Sequence, residues 1–142
     1  MRLAVVLLTL CALVGAAFWL FGAPAPPPAL IAGLPDDGMR GAPCPAGTLQ
    51  EERARMKRGV SPPAAFGRKL RENFPLGSDA AALEALLTAQ GFETFPPCPN
   101  DESVFGARWL SRRWGDPDAY VFWRANDNGK LTFLDGQVSR TQ

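Results

Sequence analysis

Residues 120–134 read YVFWRANDNGKLTFL, and the fold turns on this stretch. Residues 120–124 are aromatic or β-branched apart from the closing Arg, the composition of a strand. Residues 126–129, NDNG, tolerate positive φ and suit a hairpin turn. Residues 130–134 are the return strand. Upstream, 103–110 predict another strand, with Val104 and Phe105 in its first half, and 112–117 predict a turn or excursion. Asp135-Gly136 offers a further turn, or a bulge before Val138. The expectation is a three-stranded antiparallel sheet. Alternation places Tyr120, Phe122 and Arg124 on one face, and Val121 and Trp123 on the other.

Moving toward the N-terminus, the apolar period changes from 2 to 3.6. In FPLGSDAAALEALLTAQGF, residues 74–92, Ser78 or Asp79 can cap a helix and Gly91 can close it. Leu83, Leu86 and Leu87 share one face of that helix. Phe92 and Phe95 then leave in an extended run. Before it, Ser61 can cap a helix with Pro62 at its first position. Phe66, Leu70 and Phe74 line one side of it, and Pro75 and Gly77 stop it. Thr48 and Glu51 match a capping box for a third short helix over 48–58. The order of helices first and strands after predicts an α+β domain, with two or three short helices packed on the sheet.

The N-terminal end differs in character. Residues 3–22, LAVVLLTLCALVGAAFWLFG, carry no charge and no proline. Twenty helical residues span ~30 Å, the hydrocarbon thickness of a bilayer. The run predicts an N-terminal transmembrane helix over residues 1–22, a signal-anchor or a signal peptide. Its length and the Trp19 and Phe21 at one end favour the anchor. Arg2 precedes the run, and no other basic residue appears before Arg40. That bias predicts a single-pass inner-membrane protein with a cytoplasmic N-terminus and an exported C-terminal domain. The Ala-, Gly-, Pro- and Arg-rich composition points to a bacterial chain, so the destination would be the periplasm. Residues 23–47 are rich in Pro, Gly and Ala and read as a semi-rigid linker. Residues 48–142 are left for the domain.

Cysteine usage agrees with export. With Cys11 inside the apolar run, Cys44 and Cys98 remain, and an even pair in an oxidising compartment predicts a disulfide. Beyond Arg2, 14 basic residues balance 14 acidic ones, which gives no electrostatic reason to invoke nucleic acid. The basic run Arg53, Arg55, Lys57 and Arg58 follows Glu51 and Glu52, a charge order that complements a helix dipole.

The chain has no His, no G-x-S-x-G and no phosphate-binding glycine loop. The usual nucleophile–base couples and ordinary zinc sites are therefore missing, and no cofactor is expected. A hydrolase would have to draw an acid–base pair from Glu93, Asp101, Glu102, Asp116 and Asp118. The late aromatics give a different lead. Arg108, Arg112, Arg113, Trp114 and Tyr120 are candidate partner-binding residues, because Trp, Tyr and Arg dominate interface hot spots.

Phe74-Pro75-Leu76-Gly77-Ser78, the Leu-bearing helix, Gly91-Phe92, and a terminal Val121-x-Trp123…Asp127-x-Gly129-x-Leu131 hairpin form a pattern. Over residues 62–138 it resembles small envelope domains of the SmpA/OmlA (BamE-like) type. Gly77-Ser78 stands where that family has Gly-Met-Thr, and the family's lipidated Cys has no counterpart. The resemblance implies two helices on a three-stranded sheet, and a non-catalytic module that binds a protein or cell-wall component. The combined expectation is a membrane-anchored periplasmic interaction module of the cell envelope. It would contact the inner membrane through residues 3–22 and an envelope protein or cell-wall partner through its domain. A small carboxylate hydrolase and a structural factor without a defined ligand are the alternatives.

Overall fold

A computed structural model of the chain describes residues 26–38, 40–45, 47, 50, 64–111 and 115–140. Its element order is α1 (Ala65–Asn73), α2 (Ala80–Ala89), β1 (Glu93–Phe95), β2 (Phe105–Trp109), β3 (Pro117–Ala125) and β4 (Leu131–Arg140). The strands form one antiparallel sheet in the order β1-β2-β3-β4.

The α+β order stands, but the sheet has four strands rather than three. The added strand is β1, where Glu93, Thr94 and Phe95 pair with Arg108, Ala107 and Gly106. Three residues are too few to show an alternation, so the run after Phe92 reads only as extended chain. Asp135-Gly136 is neither turn nor bulge. It lies inside β4, with Gly136 opposite Val121, and the only shift of register in the β3–β4 ladder falls at Arg124/Ala125. The hairpin turn sits where NDNG predicts it: Asn126 N–H donates to Lys130 O, and Gly129 has φ 71°.

The expected membrane placement is also corrected. No helix among the described residues is long and apolar enough to cross a membrane. A single-pass inner-membrane protein with a periplasmic domain is therefore not supported. Residues 3–22 and most of the 48–58 helix lie outside the described residues.

Helix α1 forms because Phe66 and Leu70 make one apolar side, and both are fully buried. Its N-cap residue, Ala64, has no capping side chain. Asp37 supplies the missing acceptor from elsewhere in the chain: its Oδ1 accepts from Ala65 N–H at 3.1 Å. A carboxylate at this end also suits the helix dipole. Helix α2 is capped as its sequence predicts. Asp79 accepts from Ala81 N–H at 2.9 Å, and Gly91 leaves with φ 81°. Leu83 and Leu87 turn inward.

These side chains meet Ala107, Ala119, Val121, Trp123, Leu134 and Val138 from one face of the sheet. Burying each large apolar side chain stabilises the fold by about 1.5–3 kcal/mol. α1 lies unusually near β4. A Cβ on Gly136 would fall 2.6 Å from Leu70 Cδ1, and one on Gly67 would collide with the Asp135 carboxylate. Both positions need glycine because helix and strand backbones approach closely there.

Part of the Pro-rich segment belongs to the domain rather than to a spacer. Pro28 O accepts from Ile31 N–H and Ala32 N–H, which folds a turn that drives Leu30 and Ile31 into the core. Lys69 Nζ holds the same turn by donating to Leu30 O at 2.8 Å. The chain then reaches the edge of β4. Asp37 N–H donates to Val138 O at 2.8 Å, and Val138 N–H donates to Asp37 Oδ2 at 3.3 Å. Beyond it, Arg40 N–H donates to Gln137 Oε1, and Cys44 is bonded to Cys98, with their Cα atoms 5.3 Å apart. Asp37, Arg40 and Cys44 thus mark a strap from the β4 edge to the loop after β1.

Candidate functional site

The predicted disulfide between Cys44 and Cys98 is present. Of the five partner-binding candidates, Arg108 and Tyr120 are described, and Arg112, Arg113 and Trp114 lie outside the described residues. Arg108 and Tyr120 are direct cross-strand neighbours on β2 and β3, on the sheet face away from the helices. Phe95 joins them from β1. The Arg108 guanidinium lies 5.7 Å from the Phe95 ring centroid, and Phe95 meets Tyr120 edge-on at 6.4 Å and Phe122 at 6.1 Å. The ring sits over Gly106, whose missing Cβ leaves room for it. In the sequence Phe95 shows only as part of an extended run, because a three-residue strand carries no alternation, and its place in this group comes from the pairing with Gly106.

This face is partly covered. Phe122 and Gln137 are buried, with Gln137 held by Arg40 of the strap. Arg108 is exposed and Tyr120 half-buried. The Tyr120 hydroxyl titrates above its ordinary value of 10.0. Burial is the main cause and the Asp118 charge adds to it, while Arg108 pulls the other way. At neutral pH the group is therefore a neutral donor and acceptor beside a fixed cation.

The candidate carboxylates are scattered through other tasks. Asp116 and Asp118 both accept from Ser111, at 3.2 Å from its hydroxyl and 2.9 Å from its amide. Asp101 accepts from the Ser103 hydroxyl and amide and pairs with Arg124 at 3.2 Å. Its pKa is held below the ordinary 3.8, first by the Ser103 hydroxyl, then by the Ser103 amide, with Arg124 adding to the effect. A general acid needs a raised value. Glu93 stands opposite Arg108 across β1 and β2.

A cleft of about 480 Å³ opens beside β1, β2 and the loop that joins them, and Phe95 and Gly106 of the first group line it too. Its lining includes Glu84, Asp101, Glu102, Phe105 and Trp123. Phe105 stacks on Trp123 with centroids 5.8 Å apart and planes 18° from parallel. Phe105 nevertheless stays 44% exposed, while Trp123 is buried. The Trp123 indole N–H has no acceptor among the described residues.

No family model matches the chain, and neither a curated protein nor a solved structure is significantly similar to it.

Proposed function

We propose that this domain is a non-catalytic interaction module that binds a protein partner through the Arg108–Phe95–Tyr120 face. The observation that carries this reading is the grouping itself. An exposed guanidinium, an aromatic ring beneath it and a neutral phenol stand on three adjacent strands, where regular backbone fixes their spacing. Strands hold such groups with less freedom than loops do, so less side-chain entropy is lost when a partner docks. Arg and Tyr are the residues that most often dominate binding energy at such patches. The resemblance to small envelope domains, with their helix pair on an antiparallel sheet, supports the same reading.

Cross-linking and affinity capture with the full chain tests it, run in parallel on the unmodified protein and on Arg108→Glu and Tyr120→Ala. The expected result is a reproducible partner that both substitutions lose while thermal unfolding stays near that of the parent. An unchanged set of captured proteins in both variants would remove this face from the function.

A further inference from the structure

We infer that the cleft beside β2 is a second binding site, which receives an arginine side chain presented by an extended segment of a partner protein. The site adjoins the Arg108 face and shares Phe95 with it, but its floor is Phe105, which projects to the helix side of β2 while Arg108 projects to the opposite side.

The wall of the cleft determines the chemistry of its occupant. Glu84, Asp101 and Glu102 line it, and no basic residue does. Asp101 is already balanced by Arg124 and fixed by Ser103. Glu84 and Glu102 are exposed, and neither has a hydrogen bond or ion pair among the described residues. Two uncommitted carboxylates therefore line a space with no cation of its own, and the local field favours a positive occupant.

The aromatic pair narrows this to a planar cation. Stacking on Trp123 uses one face of Phe105, and the residue still remains 44% exposed. An exposed aromatic face beside carboxylates fits a guanidinium, which stacks flat while its N–H groups donate in plane to the acids. An ammonium lacks the planar fork and gains less. A cleft of this volume has room for an arginine side chain. The floor is preorganised, because Trp123 is locked in the core.

Isothermal titration of the full disulfide-bonded chain tests the proposal, using a blocked pentapeptide with a central arginine and the same peptide with citrulline instead. Citrulline keeps the planar shape but carries no charge and has a carbonyl acceptor in place of one NH2 donor group. The arginine peptide is expected to bind at least about tenfold more tightly than the citrulline peptide, and to weaken as salt rises. The Glu84→Gln/Glu102→Gln variant is expected to erase that difference. Both positions are exposed and without partners, so its fold should be intact. Phe105→Ala should weaken the arginine peptide in the same direction. Absence of binding, equal binding of the two peptides, or arginine binding that persists in the double Gln variant would each overturn the assignment.

Discussion

Strand β4 is covered by other parts of the chain at several points along its outer side, whereas β1, at the opposite edge, is three residues long and open. Along β4, Gly77 and Ser78 exchange hydrogen bonds with Leu131. Arg71 Nη1 donates to Leu134 O at 2.7 Å. Gly67 of α1 packs against Gly136, and Asp37 takes both the N–H and the C=O of Val138. Three separate parts of the chain, the 77–78 turn, α1 and the segment of Asp37, cover one edge. At β1, no hydrogen bond from the backbone of Glu93, Thr94 or Phe95 runs outward among the described residues. Long unpaired edges invite pairing with other chains, and proteins blunt them by covering or by shortening. This molecule does each on a different side. Both candidate binding surfaces lie near the shortened edge and meet at Phe95 of β1.

The contrast predicts where substitutions should be felt. The largest effect is expected from Cys44→Ser/Cys98→Ser. The bond spans 54 residues, and loop-closure entropy places its loss at about 4 kcal/mol in denaturant unfolding. A loss under about 1 kcal/mol would show that Ile31 and Asp37 hold the strap unaided. Next comes Asp37→Ala, which strands the Ala65 and Val138 amides at the covered edge. It is expected to cost about 2–3 kcal/mol. Thr94→Ala at the open edge should stay within about 0.5 kcal/mol. Equal effects at the two positions would end the distinction between the edges.

The smallest effect concerns titration. Arg108 opposes the upward shift of Tyr120, so Arg108→Gln should raise the phenol pKa further in an ultraviolet pH titration. Because the folded value lies above the ordinary 10.0, the contribution to stability is complete below that pH. It is lost as pH rises through the folded value, and the variant should move that loss to higher pH. An unchanged titration would place the two groups further apart than the register implies.

What the sequence revealed follows from which signals are local. The α2 cap, the NDNG turn and the inward Leu83 and Leu87 depend on neighbours a few residues away, so the chain itself displays them. The disulfide was legible from count and composition alone. β1 was not, because it exists only through pairing with β2 and is too short to carry a period. Asp37 was illegible for a related reason. In the sequence it is one acid in a Pro- and Gly-rich run, and its role appears only when Val138, 101 residues later, is brought beside it. Composition made 23–47 look like a linker, while Leu30 and Ile31, two apolar residues inside it, fill a core position. Of the binding candidates, Arg108 and Tyr120 were named for their type, but their meeting with Phe95 depends on strand order.

The bond between Cys44 and Cys98 also turns everything between them into a covalent ring, with the strap and the rest of the chain leaving it as two tails. A single protease nick inside that ring leaves one molecule, which runs as one band on a gel until a reductant separates it into two fragments. The ring encloses α1, α2 and β1, so a break within it does not detach the elements that carry Phe95 and Glu84 from β2, β3 and β4.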